Sequence, residues 1–325
     1  MPKCFQAALA LAVITLSAIA SPPALAERLK VVATFTVIAD MAKNVGGDRV
    51  EITTLVGPNG DTHVYEPRPA DVVAMAKADV VLVNGLHFEG FLERLIETSA
   101  TKGRIVELTR GITPIAFEPD GLSGKGEDHQ DHDHAAREGG GARGHHDHDA
   151  ADPHAFQSIP NAQIYVKNIA DAFCAADRPG CAEYRRKASA YTETLKSLDA
   201  EIRAAVAQIP ADRRVVITSH DAFGYLAHEY GLTFLAPAGL STDAEPSAAH
   251  VAVLVRQIQQ EKAAAVFLEN IANPRLIEQI AAETGVKVGG MLYSDSLSEK
   301  DGPAPTYIDM IRNNITQIKG AILGS

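Results

Sequence analysis

The chain has 325 residues, 46% of them hydrophobic, enough for two compact domains with cores of their own. Its 30 Lys and Arg against 41 Asp and Glu give a formal net charge of −11, which argues against nucleic acid and anionic membrane surfaces as partners. Met1-Pro2-Lys3 is a short basic start, residues 7–20 are apolar, and Ala24-Leu25-Ala26 supplies small residues for cleavage before Glu27. Residues 1–26 therefore read as a secretory signal peptide. No later apolar run approaches the roughly 20 residues a membrane span needs, so the mature chain is expected to be soluble. Cys4 leaves with the leader and does not stand at the cleavage point, where a lipid-anchored protein would need it. The expectation is a free periplasmic protein without a lipid anchor.

After the leader, residues 29–34 read as a strand and 37–42 as the helix that follows, ended by Gly46-Gly47-Asp48. Residues 50–56 alternate as a second strand and break into a turn-rich stretch that ends at His63. A helix from Pro69 to about Ala78 leads to a strand over 79–84, with His87 at its end. A further helix through Phe91, Leu92, Leu95 and Ile96 leads to a strand over 104–108. Strand and helix alternate, which predicts a parallel sheet with helical crossovers.

From about residue 118 to 151 the pattern stops. This tract holds His129, His132, His134, His145, His146 and His148, half of the chain's 12 histidines, among Asp131, Asp133, Asp147 and Asp149. With almost nothing apolar to bury, it is expected to be a disordered surface loop. Order returns at Asp152-Pro153-His154-Ala155-Phe156, with a helix over 161–174. Cys174 and Cys181 flank a turn sequence, and in an oxidising compartment a disulfide between them is expected to stabilise the chain by about 2 kcal/mol. Next, Tyr184, Ala188, Tyr191, Leu195, Leu198, Ile202, Val206 and Ile209 recur at helical spacing, predicting one rod over 182–209 of about 40 Å that Pro210 ends. The second half repeats the logic of the first, with strands over 215–218, 232–235, 264–268 and 286–291 and helices over 221–230, 247–261, 274–284 and 307–323. The fold class is α/β in two lobes, each a mainly parallel sheet with helices on both faces, joined by one long helix.

His220 ends the apolar strand Val215-Val216-Ile217-Thr218, at the edge where open α/β sheets bind ligands. His63, His154 and Asp295 fall in comparable loops. Taken singly, each has a plain explanation: a loop residue, a helix-start residue, a packed core histidine, a helix cap. Together, three imidazoles and a carboxylate suit a tetrahedral divalent cation, zinc before manganese, magnesium or calcium, with Cu(II) able to bind at least as tightly. Four protein donors also close the site, which suits holding a metal rather than catalysis. His228 and His250 fall within predicted helices and read as surface residues, and Asp221 as the cap of the helix after His220.

The motifs Gly60-Asp61-Thr62-His63-Val64-Tyr65-Glu66-Pro67, Asp152-Pro153-His154-Ala155-Phe156, Thr218-Ser219-His220-Asp221-Ala222-Phe223-Gly224-Tyr225 and Tyr293-Ser294-Asp295-Ser296-Leu297 resemble those of the zinc-type metal-binding proteins of bacterial ABC importers. The likeness covers essentially the whole mature chain. It implies a first lobe over 27–181 supplying His63 and His154, a rigid linker helix over 182–209, and a second lobe over 210–325 supplying His220 and Asp295, with the metal in the cleft. It also implies a periplasmic, non-catalytic, monomeric zinc carrier that serves an inner-membrane permease and its cytoplasmic ATPase, with a metallochaperone as a candidate loader. Manganese-type relatives place glutamate where this chain has His220. The chain departs from the family pattern at Phe156, where Trp is common, and at His87, where a small residue is expected. His87 reads either as a support or alternate ligand or as an ordinary loop histidine, and Glu269 either as a carboxylate orienting a ligand histidine or as a plain loop residue. The histidine tract resembles a loop inserted in zinc-type members, with zinc capture or hand-over set against a solvated acidic linker. The rival functions are a manganese or mixed-metal carrier, a secreted zinc hydrolase, for which His-Glu-x-x-His is absent, and an adhesin or zinc buffer.

Overall fold

Eight short β-branched or apolar runs build two separate sheets in the computed structural model, which describes residues 27–116, 151–244 and 246–324. The first sheet comprises β1 (Leu29–Phe35), β2 (Val50–Val56), β3 (Val80–Val83) and β4 (Arg104–Glu107) in the order β2-β1-β3-β4, all parallel. Helices α1 (Thr36–Gly46), α2 (Pro69–Lys77) and α3 (Leu92–Ser99) make the crossovers, and α4 (Ile159–Ala176) packs on the first of them. The second sheet holds β5 (Val215–Ile217), β6 (Thr233–Leu235), β7 (Ala265–Glu269) and β8 (Val288–Leu292), again parallel and in the equivalent order β6-β5-β7-β8. Its helices are α6 (Gly224–Tyr230), α7 (Ala248–Glu261), α8 (Arg275–Thr284) and α9 (Tyr307–Leu323). Val80, Val81, Leu82 and Val83 are all buried, as expected of a strand covered on both faces.

Between the sheets runs α5 (Cys181–Val206), 26 residues and about 39 Å long. Its buried residues Tyr184, Ala188, Tyr191, Leu195, Leu198, Ile202 and Val206 follow the three-or-four spacing of one helical face. That face packs on α1 and α4 on one side and on α6 and α9 on the other, and a single apolar core runs through both lobes. A smaller cluster around Ile217, Leu254, Ile258, Ile277 and Ile280 stays within the second lobe. The helix stops three residues before the predicted end, because Ile209 precedes Pro210 and is steered out of the helical region. Among the described residues no helix is long and apolar enough to cross a membrane.

The helix after His220 also starts later than its sequence suggests, at Gly224 rather than Asp221. His220 bridges in parallel to Ala238, and the Asp221 amide donates to the Gly239 carbonyl at 3.1 Å, so extended pairing continues past β5 and delays the first helical turn. Asp221 is therefore not the helix cap.

Cys174 and Cys181 are joined by a disulfide where α4 turns into α5. Replacing both by serine is expected to lower stability by about 2 kcal/mol in denaturant titration and to leave metal affinity unchanged, since the bridge lies on elements remote from the cleft.

Asp40, half-buried on α1, accepts the Tyr307 amide at 3.0 Å where α9 begins. Burial, reinforced by the neighbouring Asp309 carboxylate, raises its pKa from 3.8 to about 6. Between those values the folded state binds more protons than the unfolded state, so stability falls as pH rises from about 4 to about 6. Asp40→Asn keeps the acceptor without the charge. The ceiling of its effect is about 3 kcal/mol, and residual exposure reduces the gain expected at pH 8 to about 1–2 kcal/mol. Denaturation midpoints of the two proteins should coincide at pH 4 and separate at pH 8.

Candidate metal centre

Four side chains from four different loops meet at the strand ends between the lobes. Their donor atoms, from His63, His154, His220 and Asp295, all lie within 4.8 Å of one another. His63 Nε2 is 3.4 Å from His154 Nε2 and 3.3 Å from Asp295 Oδ2, His220 Nε2 is 3.1 Å from Asp295 Oδ2, and His154 Nε2 is 3.6 Å from Asp295 Oδ1. Tetrahedral donors about 2.0–2.1 Å from a central ion are separated by about 3.3–3.4 Å, the middle of this range. Asp295 Oδ1 is buried without a hydrogen-bond partner, an orphaned lone pair that a cation would occupy.

Local chemistry explains each placement. His63 follows Asp61, whose Oδ1 accepts the His63 amide at 2.9 Å in an Asx turn. His154 repeats the device two residues after Asp152, whose Oδ1 accepts the His154 amide at 2.8 Å and also lies 2.8 Å from His154 Nδ1. Asn84 Nδ2 donates to the Pro153 carbonyl at 2.8 Å and Tyr225 Oη to the Asp152 carbonyl at 3.0 Å, so both lobes hold this loop. Glu269, at the end of β7, accepts the amides of Ser219 and His220 on Oε1 at 2.6 and 3.0 Å, and its Oε2 is 2.6 Å from His220 Nδ1. Carboxylates against both Nδ1 atoms fix a ring proton there and turn each Nε2 towards the centre as the atom that would ligate.

The loop that carries Asp295 follows β8 of the second sheet, yet the first lobe clasps it. Gln157 Nε2 donates to the Ser294 carbonyl at 2.5 Å, Thr36 Oγ1 accepts the Leu297 amide at 2.8 Å, and the Asn59 amide donates to the Leu297 carbonyl at 3.0 Å. An aromatic cluster closes the first-lobe side: the Phe88 ring stands 5.0 Å from His63 and 5.5 Å from His154, with Phe35 and Phe156 behind it. Phe156, where the family pattern favours Trp, is part of this packing.

Electrostatics match the donor set. Burial opposes a charge on His220, but the Glu269 and Asp295 carboxylates outweigh it and hold the imidazole pKa well above its usual value. Burial would raise Asp295, and the imidazoles of His154, His220 and His63 outweigh it and keep the carboxyl well below the usual range. A cation entering the centre therefore displaces a proton from His220 and meets an ionised Asp295.

Other sequence-level candidates fall elsewhere. Glu269 touches His220, as one of its two readings had it. His87 does not join the centre: the turn Gly85-Leu86-His87, with φ of 89, 54 and 60°, carries it to an exposed position with no hydrogen bond or ion pair to the four donors. His228 is exposed, and His250 is half-buried at the lining of an open cleft, with its Nε2 closed off from solvent. His129, His132, His134, His145, His146 and His148 lie outside the described residues. Asp152 was missed, although Asp-x-His occurs at both first-lobe histidines and signals the turn in the sequence itself. Gln157 was also missed and carries no local signal, because its partner is 137 residues away.

The profile of the ZnuA family, described as zinc-uptake complex component A, periplasmic, matches residues 31–321. The chain belongs to this family. ZnuA-family chains are metal-binding, substrate-binding proteins of ABC transporters, not enzymes. Among its relatives, the iron-binding protein YfeA of Yersinia pestis is 34% identical over 300 residues, 92% of this chain and 88% of that protein. The manganese-binding lipoprotein MntA of Bacillus subtilis is 33% identical over 301 residues, 91% of this chain and 90% of its own. The structure of the periplasmic zinc-binding protein TroA of Treponema pallidum superposes with a TM-score of 0.78 at 27% identity, covering 91% of this chain and 99% of that one. Iron, manganese and zinc are all named, so membership does not select the metal.

Membership does correct one expectation. Relatives such as MntA are named lipoproteins, which overturns the inference that the mature chain has no lipid anchor. That inference rested on placing the cleavage point before Glu27, and residues 1–26 lie outside the described residues.

Proposed function

We propose that the chain captures zinc at His63, His154, His220 and Asp295 and delivers it to a membrane permease driven by a cytoplasmic ATPase. The observation that carries this reading is His220, a third imidazole oriented by Glu269, which gives the site three nitrogen donors and one carboxylate. Nitrogen-rich four-coordination favours zinc over manganese, which prefers oxygen donors. Four protein donors leave no position for an activated water, which supports a carrier over a hydrolase. The chain works as a monomer in this reading, a metallochaperone is its candidate loading partner, and the rod-like α5 with its continuous core favours a modest lobe adjustment on binding. A manganese or mixed-metal cargo is the second reading, favoured by the iron and manganese names of relatives that align over nine-tenths of the chain. In cells lacking the chain, growth under zinc starvation should be restored by the wild-type protein and not by His220→Ala. A growth defect relieved by added manganese and not by zinc would support the second reading instead.

A further inference from the structure

A second buried carboxylate stands behind the first-lobe side of the centre. Glu89 follows β3, the strand that holds in the first sheet the place β7 holds in the second. Glu269, at the end of β7, accepts two consecutive amides, those of Ser219 and His220. Glu89 treats the loop after β3 in the same way: its Oε1 accepts the Asn84 amide at 2.6 Å and the Thr34 hydroxyl at 2.7 Å, and its Oε2 accepts the Gly85 amide at 3.2 Å. Burial raises its pKa, and these donors oppose the rise. Glu89 enters no ion pair among the described residues, so hydrogen bonds alone compensate its burial.

Two chains of contact lead from Glu89 to His154. The first runs through Asn84, which is fully buried. Tyr165 Oη donates to Asn84 Oδ1 at 2.5 Å, which turns the Asn84 amide nitrogen to the Pro153 carbonyl, 2.8 Å away and one residue before the ligand. The second runs through the turn. Gly85, Leu86 and His87 have φ of 89, 54 and 60°, a left-handed run that residues with side chains keep only where their surroundings impose it. Anchored to the carboxylate by its Gly85 amide, this turn delivers Phe88, whose ring stands 5.5 Å from His154 and 5.0 Å from His63.

We propose that Glu89 is a positioning residue for metal capture, fixing His154 through Asn84 on its backbone side and through Phe88 on its ring face. The inference rests on the reading of the four donors as a zinc-capture site. Glu89 does for the first lobe at one remove what Glu269 does for His220 by direct contact. Its contribution is preorganisation: an imidazole held in place before the cation arrives gives up less freedom on binding.

Glu89→Gln tests the assignment. Oε1 takes two donors, so glutamine keeps its oxygen there and its amide nitrogen faces the Gly85 N–H, donor against donor. Zinc affinity, measured by competition with a fluorescent chelator, is expected to fall about 10-fold in the parent and in His220→Ala. In His154→Ala, where the positioned ligand is already gone, it should fall by no more than about twofold. The visible ligand-field bands of the cobalt(II)-loaded chain should shift in Glu89→Gln, a change that lower stability alone does not produce. If Glu89→Gln does not fold, Tyr165→Phe carries the test. It leaves Glu89 in place, frees the Asn84 amide to turn, and should show the same pattern at about threefold. Equal losses in all three backgrounds, or an unchanged affinity and cobalt spectrum, would overturn the positioning role. Failure of the unmutated chain to bind zinc tightly would instead remove the capture reading on which the inference rests.

Discussion

Replacing His220 with alanine is expected to weaken zinc binding by at least about two orders of magnitude. A four-donor zinc site is worth about 10–16 kcal/mol, so one donor accounts for roughly 3 kcal/mol. The loss is greater if Glu269 and Asp295 then face each other across the emptied position without the imidazole that separates them. His220→Glu restores a donor but makes the site two imidazoles and two carboxylates, a harder set. It is expected to lose zinc affinity while gaining manganese affinity relative to the parent. Isothermal titration with both metals reads both changes, and tight zinc binding retained in His220→Ala would refute the ligand assignment.

Glu269→Gln is the second large effect, and its direction follows from hydrogen-bond arithmetic. Glu269 Oε1 already accepts two backbone amides, so glutamine must keep its oxygen there and turn its amide nitrogen towards His220 Nδ1. A donor opposite Nδ1 stabilises the tautomer with the proton on Nε2, the atom that faces the centre. Zinc affinity should fall about 10–100-fold with little change in stability. The pH dependence of binding should weaken as well, because a positively charged His220 loses one of the two carboxylates that hold it. An affinity within twofold of the parent would show that Glu269 does not orient the ring.

The two sheets were legible because their strands are short β-branched runs bounded by turn residues, and α5 because its apolar spacing runs on without glycine or proline. Element ends were less so: the parallel bridge from His220 to Ala238 and the proline after Ile209 moved two helix boundaries. The four donors could be picked out because each stands just past a strand or at a helix start, where an α/β sheet gathers ligands. What holds them could be read only in part. Asp152 announces itself by its spacing from His154, whereas the grip of Gln157 and Thr36 on the Asp295 loop joins residues 137 and 261 positions apart. That grip has a mechanical meaning, since the Asp295 loop follows the second sheet in chain order and is hydrogen-bonded to both lobes. The identity of the metal is the part that fold and relatives leave open, since the same architecture serves proteins named for iron, manganese and zinc. Here the chemistry of the donors has to decide.

Competition between zinc and manganese at equal free concentrations, measured on the purified chain by metal analysis, tests that decision most directly. The three-imidazole, one-carboxylate centre predicts one tightly bound zinc per chain in preference to manganese, whereas a tight site filled preferentially by manganese would contradict it.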